Sequence, residues 1–136
     1  MEKCVPKVTP TVVLCVDDDS RAMMARSLIL SVAGYDVQTA ASSESALSIF
    51  RRSPVDLVIA DHFLPGMSGA ELASVMKKIK PEAQFVLLMV TPEPPSGAEQ
   101  VDLVLMKGMN PQEFLDDIQR LLSKRQRKAA ASADQN

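Results

Sequence analysis

The chain contains two cysteines, one histidine and no tryptophan. It also has no apolar run approaching the ~20 residues needed to cross a bilayer. Cys4, near the N-terminus, and Cys15, inside an apolar run, have no metal-type spacing and do not suggest a disulfide framework. Two free thiols in a reducing compartment are expected. The opening Met1-Glu2-Lys3-Cys4-Val5-Pro6-Lys7 lacks the long apolar core of a signal peptide, so a cytoplasmic location is expected. A strong excess of positive charge is missing as well: the formal net charge is -2 and the sequence pI is near 5.4. The basic cluster Lys124-Arg125-Gln126-Arg127-Lys128 ends the last helical pattern, where cations complement the negative end of the helix dipole. Neither nucleic acid nor a membrane is therefore expected as a partner. With 136 residues, 46% of them hydrophobic, the chain suits one domain with a sizeable core and is too short for two.

What is present is an alternation of two periodicities. Residues 11 to 16 are short, continuous, β-branched and apolar, as in a strand covered on both faces. Residues 20 to 33 follow with Met23, Met24, Ser27, Leu28 and Val32 at helical spacing, and Met23, Met24 and Met106 read as core positions. Gly34 stops that helix. Residues 35 to 39 alternate as a strand, and residues 43 to 52 form a helix with Ala46, Leu47 and Phe50 on one face, closed by Pro54. Residues 55 to 61 form another buried-type strand. Ser68-Gly69-Ala70-Glu71 has capping-box spacing and opens a helix that runs to about Lys80, where Pro81 ends it. Residues 84 to 90 form a fourth strand.

The rhythm then breaks. Thr91-Pro92-Glu93-Pro94-Pro95-Ser96-Gly97 cannot be a regular helix interior, and at best one short turn fits before a fifth strand over 102 to 106. Asn110-Pro111-Gln112-Glu113 supplies an N-cap, an N1 proline and an N3 glutamate for a final helix to about Lys124. Alternating strands and helices predict an α/β fold, a parallel sheet with helices on both faces and right-handed crossovers. That topology brings every strand's carboxyl end to one edge, where ligands bind.

Several chemistry-bearing residues fall on that edge. The first strand delivers Asp17, Asp18 and Asp19, the third Asp61, the fourth Thr91 and the fifth Lys107. Carboxylates this close repel unless one is protonated or a cation sits among them. A hard divalent ion with oxygen ligands is the simplest remedy, and Mg²⁺ suits because it takes a couple of carboxylates and leaves room for phosphate oxygens. Lys107 would pair with an anion beside the metal, and the Thr91 hydroxyl could donate to it. A carboxylate next to Mg²⁺ and a lysine can attack phosphorus to give an aspartyl phosphate.

The combination of Val16-Asp17-Asp18-Asp19, Asp61-His62-Phe63-Leu64-Pro65-Gly66-Met67-Ser68-Gly69, Met89-Val90-Thr91 and Lys107 resembles the receiver domain of two-component response regulators. The resemblance covers residues 11 to 124, with 1 to 10 as an N-terminal extension and 125 to 136 as a basic, polar, flexible tail. It implies a flavodoxin-like five-stranded parallel sheet ordered 2-1-3-4-5, here with the fourth helix short or missing. It implies Asp61 as phosphoacceptor, Mg²⁺ bound by Asp18, Asp61 and the backbone carbonyl of Phe63, and Asp17 holding the water shell of the ion. Thr91 and Lys107 would contact the phosphoryl group. Asp19 reads as a carboxylate at a helix start, and His62 as a turn residue.

Three departures from the family pattern lie after Thr91. The chain from Thr91 to Lys107 is shorter than usual, Val104 replaces the aromatic three residues before the lysine, and Gly108 replaces the proline after it. A stand-alone receiver is expected, with a sensor histidine kinase or histidine phosphotransfer protein as donor and an unknown output protein as target. It is expected to be a phosphoacceptor with self-catalysed transfer and autodephosphorylation at most, not an enzyme. The alternative is a pseudo-receiver, an interaction module that keeps the fold without phosphorylation. A Mg²⁺-dependent phosphatase ranks last, because Phe63 occupies the position where such enzymes place a general acid.

Overall fold

In the computed structural model the described residues are 10–134, with side chains described to residue 124. The N-terminal extension lies almost wholly outside them. Five strands, β1 (Val12–Val16), β2 (Asp36–Ala40), β3 (Leu57–Asp61), β4 (Gln84–Met89) and β5 (Leu103–Met106), form one sheet ordered β2-β1-β3-β4-β5. All neighbouring pairs are parallel. Among the described residues the helices are α1 (Ser20–Val32), α2 (Ser43–Arg52), α3 (Gly69–Ile79) and α4 (Pro111–Asp134).

Strand side chains alternate between faces, so the sheet divides the core in two. Val12, Leu14, Val16, Val58, Ala60, Phe85, Leu87 and Met89 face α2 and α3, joining Phe50, Leu72 and Met76. Val13, Cys15, Leu57, Ile59, Val86, Leu88 and Leu105 face α1 and α4, joining Leu30, Phe114 and Ile118. Burial on both faces explains why β1, β3 and β4 read as continuous apolar runs.

Residues 90–102, between β4 and β5, contain no helix. Proline at 92, 94 and 95 removes backbone donors and disfavours helical geometry in the residue before each. Ala98 and Val101 pack against the core in place of a helix face, and Val101 N–H closes a turn on the Ala98 carbonyl at 3.1 Å. Asp102 then fastens the entry to β5. Its carboxylate accepts from the Phe85 N–H at 2.8 Å and from Lys77 Nζ at 2.7 Å.

Two expectations are corrected. Met24 is 71% exposed and Met106 is also exposed, so these two are not core positions, and Leu28 and Val32, on the same helical spacing, are 63% and 81% exposed. α1 instead buries Leu30 and turns Met23 and Ile29 partly inward. Apolar residues lie all round this helix, so spacing alone did not select its inner face. The final helix also continues past Lys124 to Asp134. Residues 124 to 134 are rich in strong helix formers and contain neither proline nor glycine, so nothing stops the helix where a tail was expected.

Candidate functional site at the carboxyl edge of the sheet

β1 ends by burying Asp17 completely, and its N–H continues the ladder to the Ala40 carbonyl at 3.1 Å. Asp17 Oδ1 accepts from the Asp19 N–H at 2.9 Å, which folds the chain sharply into α1. Asp19 is the N-cap of that helix, accepting from the N–H groups of Arg21 and Ala22. The expectation of a helix-start role for Asp19 thus holds: its carboxylate satisfies backbone donors that an isolated helix end leaves orphaned.

β3 delivers Asp61, 5% exposed, beside Asp17. Asp61 Oδ1 accepts from the Phe63 N–H at 3.2 Å and Oδ2 accepts from Lys107 Nζ at 2.9 Å. Lys107 arrives directly after β5, its N–H bonded to the Met89 carbonyl at 2.8 Å, and its Nζ also lies 3.5 Å from Asp17 Oδ2. Burial alone would lower the ammonium's pKa. The hydrogen bond and charge of Asp61, with the charge of Asp17, outweigh both burial and the nearby Arg26, so the group is held above its ordinary value. Lys107 is therefore a fixed cation.

Carboxylate oxygens of Asp17, Asp18 and Asp61 lie within 4.8 Å of one another. Asp18 is exposed, so the cluster opens to solvent on its side. Three oxygen donors at one sheet edge, with an open approach, fit a Mg²⁺-type ion that retains waters. Phe63 stands at the rim, 61% exposed.

Thr91 is the expected residue least drawn in. β4 ends at Met89, Thr91 is exposed, and among the described residues its hydroxyl makes no hydrogen bond to Asp61, Asp17 or Lys107. His62 extends the ladder through its N–H to the Leu88 carbonyl at 3.2 Å, and its carbonyl accepts from Gly69 at 2.8 Å. It holds the start of α3 against the end of β3.

Sequence reasoning missed Arg26. Its guanidinium donates to Asp17 Oδ2 at 3.1 Å, with the side chain only 13% exposed. The signal was a cation set among the apolar residues that follow Arg21, two helical turns after the Asp19 cap, which returns it beneath the start of α1. Ser43 was missed too. Buried at the start of α2, it donates to the Met67 carbonyl at 2.8 Å and anchors the Pro65-Gly66-Met67 loop.

The chain matches the family model described as "Response regulator receiver domain" over residues 13–119. A "Probable transcriptional regulator ycf27" of Cyanidium caldarium is 30% identical over 123 residues, covering 86% of this chain and 48% of that protein. The transcriptional regulatory protein GlrR of Escherichia coli is 35% identical over 79 residues, covering 58% of this chain and 18% of that one. The chain thus spans half or less of the length of these curated relatives. Among solved structures, response regulator protein TrrA of Thermotoga maritima in complex with Mg(2+)-BeF superposes with a TM-score of 0.77 at 30% identity, covering 82% of this chain and 98% of that one. The signal receiver domain of an HD domain-containing protein from Pseudomonas fluorescens gives a TM-score of 0.82 at 25% identity, covering 93% and 97%. A doubly wound sheet, an acidic edge and a lysine after the last strand thus coincide with a sequence match over most of the chain, which belongs to the response regulator receiver domain family.

Proposed function

We propose that this chain is a phosphoacceptor that takes a phosphoryl group onto Asp61 from a phosphohistidine of a sensor kinase or phosphotransfer protein. The observation that carries the reading is the Lys107 ammonium 2.9 Å from Asp61 Oδ2, beside Asp17 and Asp18. Mg²⁺, held by Asp18, Asp61 and the Phe63 carbonyl with Asp17 holding its waters, would neutralise charge on the transferring phosphoryl oxygens. One Asp61 oxygen attacks phosphorus, the phosphorus–nitrogen bond to histidine breaks, and the electron pair stays on the imidazole. Lys107, already held 2.9 Å from Asp61 Oδ2, shifts its hydrogen bond from the free carboxylate to the phosphoryl group, so the stabilising cation is in place before transfer begins. Thr91 swings inward to donate its hydroxyl to the same group. The similar TrrA protein, in complex with Mg(2+)-BeF, supports the metal assignment by likeness.

The chain is thus its own substrate, with slow autodephosphorylation, and it signals by a change in its affinity for a protein partner. No helix among the described residues is long and apolar enough to cross a membrane. Incubation with acetyl phosphate and Mg²⁺, followed by intact-mass measurement, should give one phosphoryl adduct that Asp61→Asn abolishes. An adduct that persists in Asp61→Asn, or none in the wild type, would sink the proposal.

One observation favours a second reading. Thr91 is exposed and its hydroxyl makes no hydrogen bond to the cluster, as in a pseudo-receiver that binds partners without phosphorylation. Failure of acetyl phosphate labelling together with retained Mg²⁺ binding would select it.

A further inference from the structure

Asp17 is fully buried, and its Oδ2 faces two cations, Lys107 at 3.5 Å and Arg26 at 3.1 Å. Lys107 belongs to the acceptor chemistry. Arg26 does not: it comes from the inner face of α1, nine residues after Asp17, and it occupies an oxygen that the metal's waters would use. Three clustered carboxylates against Arg26 and Lys107 leave one net negative charge, whereas without Arg26 there would be two. Arg26 also lines a cavity of about 230 Å³ between α1 and the start of α4, walled by Ala25, Ile29, Met109 and Phe114, which offers its side chain space beside the cluster.

We infer that Arg26 is a built-in competitor of the divalent ion: it neutralises and orients Asp17 in the metal-free protein, and metal entry displaces it toward the α1–α4 cavity. The inference rests on the metal reading above. A resident cation serves two ends at once. It keeps a buried carboxylate paired when no ion is present, since an unpaired buried charge is strongly destabilising. It also weakens the ion's hold, because a unit charge this close to a divalent ion in a partly solvated site changes affinity by about tenfold.

The test is Mg²⁺ titration by calorimetry, with thermal melts, on the whole chain and on Arg26→Gln, Arg26→Met and Arg26→Lys. Gln and Met remove the charge, and Met keeps apolar packing along the cavity should Gln fold poorly. Both are expected to bind Mg²⁺ about tenfold more tightly than wild type, to melt lower without metal, and to gain more from it. Lys keeps the charge and should stay within about twofold of wild type. Unchanged or weaker affinity in the neutral variants, or tightening in Lys equal to that in Gln, overturns the inference while leaving the metal reading intact. Absence of Mg²⁺ binding in wild type and all variants overturns the metal reading and the inference with it.

Discussion

Gly69→Ala places one methyl group where the chain leaves no room. A Cβ on Gly69 would lie 2.6 Å from the Asp61 carbonyl oxygen, 2.6 Å from Leu87 Cδ1 and 2.8 Å from His62 Cα. The leucine methyl can rotate away, but the other two atoms are backbone at the end of β3. Comfortable contact needs roughly 3.5 Å, so α3 or the strand end must shift by about 0.9 Å to clear the Asp61 carbonyl oxygen. Overpacking of this kind costs about 1–3 kcal/mol, and a site confined by backbone on two sides belongs at the upper end. Alanine's better helix propensity returns up to ~1 kcal/mol, less in a first turn. The net expectation is a loss of about 2 kcal/mol. For a domain of this size that is a fall in Tm of roughly 6–10 °C, read by circular dichroism and by urea unfolding with an unchanged m-value. Because the strained atoms belong to Asp61 and His62, acetyl phosphate labelling should slow in the folded variant. An unchanged or raised Tm would refute the reasoning, since it would mean that α3 is not held against β3 at this residue.

Gly108 has a φ of +81° with open space around it, so Gly108→Ala should cost about 1–2 kcal/mol from conformation alone. Gly108→Pro, which restores the residue the family usually has there, should cost more, because proline fixes φ near −65°; paired thermal melts of the two variants check the order. On α1, Met24→Gln, Leu28→Gln and Val32→Thr should each change stability by less than about 0.5 kcal/mol, whereas Leu30→Ala should lose about 2–5 kcal/mol in urea unfolding. Burial pushes the Cys15 thiol up to about 12, against the opposing charge of Arg26 and hydrogen bond of Ser27. In a Cys4→Ser background it should resist thiol reagents at pH 8 until the protein unfolds. The unfolded thiol ionises near 9.0 and the folded one near 12, so the folded state favours the neutral form. Its contribution is complete below pH 9 and is lost as pH rises toward 12. Tyr35, also raised by burial, adds a loss of the same sign, so comparison with Cys15→Ala isolates the cysteine term.

Most of the architecture was legible because the strands are short and covered on both faces. β1, β3 and β4 read as apolar runs because all their residues but the half-buried Gln84 at the start of β4 are buried, and the carboxylates Asp17 and Asp61 mark where β1 and β3 stop. The caps at Ser68 and Asn110 were equally readable, since a side chain that satisfies helix donors acts within three or four residues. α1 was misread in register because apolar side chains surround it, and only docking against β1 and α4 chose Leu30 over Leu28.

The sequence by itself therefore determined the order of elements, the loss of a helix across the proline-rich segment and the set of carboxylates delivered to one edge. Each follows from local stereochemistry or from the polarity of parallel strands. Tertiary structure alone decided the charge balance of that edge. Arg26 and Lys107 are 81 residues apart in the chain and meet only at Asp17 Oδ2. Which cations surround a buried carboxylate depends on how a helix rotates and where a strand ends. Neither is written in the spacing of the residues that carry the charge.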